Sequence, residues 1–338
     1  MRCKRTLLAI IASTALVHAA SAQQKPDKVV IGYLNLVNAQ LVTKALGLHE
    51  KEMGVPIEWV KFGSGGDVNR AVAANQLSFG GVGGVGNPPA TIGIGRGLAY
   101  RGIFVLNMLG PVESLVVRTS KQIEKPQDLV GKSAAAPFGS TTHYLIIVYL
   151  RGAGVDPTSV KLLDLAPSDA VAAWLRSDID AAYVWEPSLN KMVANGGRIL
   201  MDSGTMATRG YPTWDIAVVM DDFAAKYPDY VTKFVKSECA GVDFWLKKPE
   251  ETAAIISKEL SLPLDDARRM MQGTGVVPCD KQLTDAYLGT SKAKGKFVDT
   301  LVATATFLTE QKRLPKVESR QSYEDFITPK YLEAALGK

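Results

Sequence analysis

The chain has 338 residues, a formal net charge of +5 and 46% hydrophobic residues. That length suits two domains of ordinary size, and the apolar fraction supports a folded core and excludes a disordered chain. Without the three positive residues near the N-terminus the net charge is only +2, which gives no reason to expect nucleic acid or an anionic membrane as a partner.

The first 22 residues have the pattern of an export signal. Arg2, Lys4 and Arg5 precede an apolar stretch at residues 6–17, and residues 20–22 (ASA) fit a cleavage site. The apolar stretch is shorter than the roughly 20 residues of a membrane span, although an N-terminal anchor stays the alternative. We therefore predict a signal peptide, residues 1–22, and a mature protein in the periplasm.

After residue 22, short β-rich runs alternate with helical patterns, as is typical of an α/β fold. Strands are predicted at 28–32, 57–62, 77–82, 103–109 and 112–118, and helices at 40–52 and from 67 to 74. A smaller alternation follows, with strands at 133–136, 160–165 and 179–185 and helices at 143–150 and 168–177. A strand at 216–220 precedes helices at 227–245, 250–260, 265–272, 297–310 and 322–335.

The strands at 112–118 and 216–220 have the positions expected for two crossings between lobes. We predict a discontinuous first lobe, residues 23–112 plus 217–338, and an inserted second lobe, residues 113–216. Ligands of such proteins bind in the cleft, where loops from both lobes meet at the ends of strands.

Motifs for catalysis or metal binding are mostly absent. After residue 22 the sequence has two histidines, His49 and His143, which do not form a pair at metal-ligand spacing, and it lacks the G-x-S-x-G elbow of the α/β-hydrolases. Export permits a disulfide between Cys239 and Cys279, but the sequence does not show whether they meet. We predict a protein that is not an enzyme and that uses no cofactor and no metal.

A glycine-rich segment, GVGGVG at residues 81–86, formally matches the dinucleotide fingerprint. That fingerprint needs an acidic residue about 20 positions on, whereas no Asp or Glu occurs between Asp67 and Glu113. We expect instead a tight loop in which Gly83 and Gly84 expose backbone N–H groups to a small anion. A turn without a ligand is the alternative.

The segment APFGSTTHY, residues 136–144, places three hydroxyl residues at the start of an apolar helix. One of them would suffice as an N-cap. Ser140, Thr141 and Thr142 together put hydroxyl donors beside free backbone N–H groups at the positive end of a helix, which favours an anion site. A purely structural cap stays the alternative, and His143 either donates a hydrogen bond to the ligand or packs.

Two acidic residues, Glu113 and Asp215, stand near the crossings in apolar sequence, where an unpaired carboxylate is costly to bury. A bound ammonium group would supply the missing partner through charge-assisted hydrogen bonds. The alternatives are exposed hinge carboxylates or pairs with internal arginines. Aromatic rings attract cations, and the candidates for the cleft wall are Tyr33, Phe138, Trp185 and Trp214.

Six segments, in order, resemble the taurine-binding members of the nitrate, sulfonate and taurine group of ABC solute-binding proteins. They are VKFGSGGDVNRAVA (60–73), ESLVV (113–117), PQDLVGK (126–132), APFGSTTHY (136–144), AAWLRSDIDAAYVWEP (172–187) and PTWDIAVV (212–219). The resemblance implies the type II periplasmic-binding-protein fold, two α/β lobes joined by a two-crossing hinge with the ligand cleft between them. It implies a monomer that delivers a small sulfonate, taurine, to an ABC permease and its ATPase subunit.

By the same resemblance, the helix start at residues 140–143 would hold the sulfonate, and Glu113 and Asp215 would face the amine. Trp185 and Glu186 would lie at the cleft edge, and Asn35 after the first strand is a further candidate. The sequence departs from the group at 80–90, where relatives often carry hydroxyl side chains, and at 35–38. The alternatives are an amine-free alkanesulfonate as ligand, an enzyme resembling the thiamin-precursor synthases, and a periplasmic sensor.

Overall fold

The computed structural model describes residues 25–338, and for residues 81–84 it describes the backbone only. The predicted signal peptide, residues 1–22, lies outside the described residues. The strands in the described range are β1 (Val29–Tyr33), β2 (Ile57–Lys61), β3 (Phe79–Gly86), β4 (Tyr100–Met108), β5 (Glu113–Arg118), β6 (Ser133–Ala136), β7 (Lys161–Asp164), β8 (Ala181–Trp185), β9 (Gly197–Asp202) and β10 (Trp214–Met220).

These strands form two mixed five-stranded sheets, with the orders β2-β1-β3-β10-β4 and β7-β6-β8-β5-β9. In the first sheet β1 runs parallel to β2 and β3, and β10 is antiparallel to β3 and β4. In the second, β6 is parallel to β7 and β8, and β5 is antiparallel to β8 and β9. We call the parts of the chain around these sheets the first and the second lobe.

Helices cover both sheets, as expected for mostly parallel strands with buried faces. Residues 25–338 contain no helix with both the length and the apolar character of a membrane span. The helices are α1 (Ala39–Ala45), α2 (Leu48–Met53), α3 (Gly65–Ala73), α4 (Asn87–Gly95), α5 (Thr141–Gly152), α6 (Pro167–Leu175), α7 (Ser188–Val193), α8 (Ser203–Thr208), α9 (Asp221–Lys226), α10 (Pro228–Lys247), α11 (Pro249–Leu260), α12 (Leu264–Gln272), α13 (Cys279–Gln282), α14 (Phe297–Glu310), α15 (Arg320–Phe326) and α16 (Lys330–Ala335).

Each sheet of the protein separates two apolar layers. In the second lobe, Leu115 and Val117 of β5 pack on the face that α5 covers, whereas Val116 packs on the opposite face with Trp174 of α6. This alternation follows from the two-residue repeat of a β-strand. In the first lobe, all seven residues of β10 are buried. Packing in these apolar layers therefore fixes the positions of the strand ends, and those ends border the cleft.

The two crossings between the lobes run side by side. The chain leaves the first sheet after Met108 and enters the second at Glu113. It returns before Trp214, where β10 begins to pair with β4, and the Leu109 N–H donates to the Thr213 carbonyl at 2.9 Å. Residues 214–216 thus belong to a strand of the first sheet and not to the second lobe, because their backbone groups pair with β4. The other boundaries of the predicted domains stay a prediction.

Two predicted elements differ from the structure for local reasons. The helix predicted at 40–52 is interrupted at Gly47, whose φ of 61° lies in the left-handed region that a continuous helix excludes. The glycine-rich segment is not a tight loop but the last six of the eight residues of β3, and α4 begins directly after it. Pro88 and Pro89 fit there because the first turn of a helix leaves N–H groups unpaired.

Cys239 of α10 and Cys279 of α13 form a disulfide, with Cα atoms 5.8 Å apart. Replacing both with serine is expected to lower the free energy of unfolding by about 2–4 kcal/mol, because the crosslink restricts the unfolded chain. Urea unfolding of the oxidised protein and of the Cys239→Ser/Cys279→Ser variant measures the difference. Reduced wild type is the control and should match the variant; equal midpoints for the variant and the oxidised protein would contradict the expectation.

Candidate functional site

A cavity of about 500 Å³ lies between the two lobes, next to both crossings. Its apolar wall includes the segment after β1, the crossing at 109–112, and the ring of Trp185 at the end of β8. The residues that line it are Leu34, Leu36, Val37, Gly65, Gly86, Pro89, Asn107, Leu109, Val112, Glu113, Ser140, Thr141, Trp185, Glu186 and Asp215. Both lobes therefore contribute to one site in the cleft between them.

Three helices begin at the wall of this cavity. Gly65 is the first residue of α3, Gly86 is the N-cap of α4, and Ser140 is the N-cap of α5. The first turn of a helix carries unpaired N–H groups and a partial positive charge, so three such starts in one wall favour an anion, although Pro88 and Pro89 leave α4 with fewer N–H groups than α3 and α5. None of the three contributes a full positive charge.

The start of α5 is fixed by its own hydroxyl groups. Ser140 Oγ accepts a hydrogen bond from the His143 N–H at 3.3 Å and donates to the Pro137 carbonyl at 2.6 Å. Ser140 therefore fits both interpretations of this segment, because it is the structural N-cap of α5 and also lines the cavity. Gly86 faces this helix so closely that a Cβ there would lie 2.5 Å from Thr141 Cγ2. Only glycine permits that approach.

Glu113 is buried in the wall with 2% of its surface exposed. Its carboxylate accepts hydrogen bonds from Thr141 Oγ1 at 2.6 Å and from Ser203 Oγ at 2.7 Å. Burial raises the pKa of Glu113 to about 8; the two hydroxyl groups oppose this shift, and the charge of Asp215 adds to it. Two neutral hydroxyl groups thus orient this carboxyl group, and no cationic side chain among the described residues pairs with it.

Asp215 is 4% exposed and accepts one hydrogen bond, from Asn107 Nδ2 at 3.3 Å. Burial raises the pKa of Asp215 to about 7, and the Asn107 amide lowers it. Asn107 Oδ1 is itself buried and has no hydrogen-bond donor among the described residues. The Asp215 carboxylate and this amide oxygen are two acceptors at the cavity wall, and an ammonium group, with three donors, fits them.

A third carboxylate in the wall, Glu186, is already paired. Its Oε1 accepts from Arg269 Nη1 of α12 at 3.3 Å, and its Oε2 accepts from the Asn190 N–H at 2.9 Å. Asn190 Nδ2 in turn donates to Asp266 Oδ2 at 3.1 Å. Because Glu186 and Asn190 belong to the second lobe and the other two residues to the first, these contacts join the lobes across the cleft.

The contact between Arg269 and Glu186 leads to a prediction about closure. Arg269→Gln is expected to raise the dissociation constant of every ligand by a similar factor of about 3–30, because the closed form would leave a buried carboxylate without its partner. Small-angle scattering should show a larger radius of gyration for the ligand-bound variant. Arg268→Gln on the same helix is the control, since Arg268 pairs with Glu250 and Asp265 within one lobe. A ligand-selective loss would contradict the closing role.

The structure brings together five of the ten predicted site residues, namely Glu113, Ser140, Thr141, Trp185 and Asp215. Asn35 is not part of the cavity wall, which its neighbours Leu34 and Leu36 supply. The contacts that Gly83 and Gly84 make lie outside the described part of the structure.

The remaining two predicted residues, Thr142 and His143, lie away from the cavity wall. Thr142 is fully buried, and its Oγ1 shares a hydrogen bond with Ser140 Oγ at 2.8 Å. His143 lines a separate space on the other side of the α5 start, where its ring stacks on Phe138 at 4.3 Å. Burial, together with the charge of Arg313, lowers the pKa of His143 to about 4.

Several wall residues were not among the predicted site residues. Gly65 and Gly86 act through their backbone, and their only sequence signals were the capping pattern of Ser64 with Asp67 and the glycine-rich segment. Asn107 had a clearer signal, because it is a lone polar residue in the apolar strand predicted at 103–109.

Comparisons with known proteins agree with this architecture. The model of the family described as NMT1/THI5 like matches residues 39–252. The taurine-binding periplasmic protein of Escherichia coli is 32% identical over 337 residues, which is 98% of each chain. Among solved structures, the alkanesulfonate-binding protein of Xanthomonas axonopodis pv. citri bound to MOPS has a TM-score of 0.76 at 20% identity, covering 89% of this chain and 98% of its own.

A desulfurization enzyme also shares the fold, with a TM-score of 0.65 at 14% identity, covering 92% of this chain and 99% of its own. The predicted α/β fold with two lobes and a cleft is thereby confirmed, as is the resemblance that the sequence motifs indicated. The family match over more than half of the chain and the 32% identity along nearly all of it lead to one conclusion: the protein belongs to the NMT1/THI5-like family.

Proposed function

We propose that this protein is the periplasmic solute-binding component of an ABC importer and that it captures taurine. One observation carries the proposal: two buried carboxyl groups, which have no cationic partner among the described residues, share a cavity with three helix starts. Taurine carries an ammonium group at one end and a sulfonate at the other. Each end would therefore meet the opposite charge when the lobes close around it.

The ammonium end is proposed to lie against Glu113, Asp215 and Asn107 Oδ1. Two carboxyl groups in a buried wall repel each other and lose their hydration when they ionise, so the ligand-free protein holds them partly or fully protonated at neutral pH. A bound ammonium group offsets the repulsion and the lost hydration, and it donates hydrogen bonds to the two carboxylates and to Asn107 Oδ1. An amine-free sulfonate offers nothing to these groups, which favours the amino sulfonate over the amine-free alkanesulfonate that we keep as the alternative.

The sulfonate end is proposed to lie at the starts of α3, α4 and α5. A sulfonate has three oxygens; the starts of α3 and α5 supply backbone N–H groups, and α4 supplies that of Asn87, since Pro88 and Pro89 have none. A carboxylate of the same length has only two oxygens and is planar, so it matches fewer of these donors. Dipoles and hydroxyl groups also suit a ligand that must be released, because they hold the anion without a full opposite charge.

The relatives support the transport role. The relative that covers nearly the whole chain is named a taurine-binding periplasmic protein, and a structural neighbour is named an alkanesulfonate-binding protein. We extend these roles to the present chain as a proposal, together with the export signal at residues 1–22, the periplasmic location, and delivery to a permease with its ATPase subunit. Binding and release require no covalent step.

A thermal-shift panel tests the proposal with three ligands of matched length: taurine, ethanesulfonate without the amine, and β-alanine with a carboxylate in place of the sulfonate. Taurine at about 100 times its dissociation constant should add about 2.7 kcal/mol of stability. Ethanesulfonate and β-alanine should each give smaller shifts. A larger shift with ethanesulfonate would reject taurine, and conversion of taurine during prolonged incubation, followed by proton NMR, would favour an enzyme.

A further inference from the structure

A second inter-lobe cavity, here called the outer cavity, has an empty volume of about 810 Å³. The first lobe contributes Arg70 of α3, Arg96 at the end of α4, and Arg313 after α14. The second lobe contributes Phe138, Gly139 and His143 at the start of α5. It shares Pro89 with the wall of the first cavity but contains none of the carboxylates of that cavity.

The outer cavity is positively charged. Three guanidinium groups line it, and its described lining residues include no Asp or Glu, although Asp164 lies at its edge and accepts from the Phe138 N–H at 2.8 Å. Arg70 pairs with Asp67, whereas Arg96 and Arg313 have no carboxylate within 4.0 Å in the described range. Arg313 lies over the Phe138 ring, 5.2 Å from its centroid, which links the two lobes without using the hydrogen-bond donors of the guanidinium.

His143 adds a neutral donor to this charged space. Its Nδ1 accepts from the Gly139 N–H at 3.4 Å, so the ring proton lies on Nε2 in the neutral form. The guanidinium group of arginine suits a tetrahedral oxyanion, because its planar arrangement of N–H groups donates two hydrogen bonds to neighbouring oxygens. Donors thus reach the same space from the first lobe and from the second.

We propose that the outer cavity binds a small inorganic oxyanion, sulfate or phosphate, which contacts both lobes at once. An anion held by Arg96 and Arg313 on one side and by His143 on the other stabilises the closed arrangement. Because coupling between two sites is reciprocal, the oxyanion and the ligand of the first cavity then tighten each other's binding. This site shares only Pro89 with the wall of the proposed taurine site and uses none of its carboxylates.

The direct test is an NMR titration of the protein with sodium sulfate, and in a second arm sodium phosphate, at ionic strength held constant with sodium chloride. The ring signals of His143 should shift and saturate, while those of His49, buried in the first lobe, stay fixed. Arg96→Gln/Arg313→Gln should weaken the titration at least tenfold. The control Arg176→Gln/Arg268→Gln, which removes two exposed arginines elsewhere, should not change it.

The coupling is tested by calorimetry with taurine. Saturating sulfate should lower the dissociation constant of taurine about fivefold in wild type and leave it unchanged in Arg96→Gln/Arg313→Gln. Equal sulfate binding by that variant and wild type, or a response that chloride reproduces, would overturn the proposal. The His143 titration needs no taurine, so failure of the taurine assignment and failure of the oxyanion site are distinguishable.

Discussion

Asp215→Asn is expected to raise the dissociation constant of taurine by roughly 10- to 150-fold, which corresponds to the about 1.5–3 kcal/mol of a hydrogen bond to a charged group. The change removes the negative charge of the residue but keeps its shape and its place beside Asn107. Within residues 25–338 as described, Asp215 accepts a single hydrogen bond, from Asn107, so the ligand ammonium would be its main partner. Calorimetric titration of wild type and variant measures the loss.

Ethanesulfonate is the matched ligand for this experiment, because it keeps the sulfonate and lacks the amine. Its affinity should stay within a few-fold of wild type or increase, since a buried charge without a partner has been removed. Asp169→Asn, an exposed residue of α6, is the control and should leave both ligands unaffected. Equal losses for taurine and ethanesulfonate would remove Asp215 from the ammonium role.

Much of the fold was predictable because strands and helices bury their apolar residues with different repeats. The run at 216–220 and the helical stripe that includes Val231, Phe234, Val242 and Trp245 are buried as that repeat requires. The extent of β3 was not predictable from the same signal. Its glycines have no side chains to give a repeat, and the strand continues because its backbone pairs with β10.

The carboxylates of the site were predictable, because an acidic residue in apolar sequence needs a partner. The hydroxyl cluster at residues 140–143 was only partly interpretable, since each helical residue is rotated by about 100° from the one before it. Consecutive side chains therefore cannot all face one cavity. Ser140 and Thr141 face the first cavity, whereas His143 faces the outer one.

The backbone groups that line the cavity could not be predicted from the sequence, for a different reason. Gly65 and Gly86 lie far apart in the chain, and only the packing of α3 and α4 around the first sheet brings them to the same wall. Arg269 belongs to the last third of the sequence, yet it neutralises Glu186 of the second lobe. Such pairs depend on how the two lobes meet, which the local sequence does not encode.

Taurine binding is expected to weaken as the pH falls. The free protein holds Glu113, with a pKa of about 8, and Asp215, with a pKa of about 7, partly or fully protonated at neutral pH because both are buried. An ammonium group binds the ionised forms, so binding releases protons. The dissociation constant should rise by about tenfold per pH unit for each proton released, as the pH falls through about 8 and then about 7. Titrations in two buffers with different ionisation enthalpies count the protons.

The stability of the ligand-free protein should change with pH in the opposite direction. Folding raises the pKa of both carboxyl groups, so they stay protonated in the folded state at a pH where the unfolded chain has lost these protons. Their stabilising contribution is complete below the unfolded pKa of about 4. It is lost as the pH rises through the folded pKa values of about 7 and 8. The melting temperature of the ligand-free protein should therefore fall over this range, while the increment that taurine adds should grow. Glu113→Gln/Asp215→Asn is expected to flatten both trends, since it removes the two groups that titrate. The melting temperatures with and without taurine, plotted against pH, could instead stay parallel between about pH 6 and pH 8.5. The ligand would then not bind ionised carboxylates, and the ammonium assignment would fail even if a sulfonate bound.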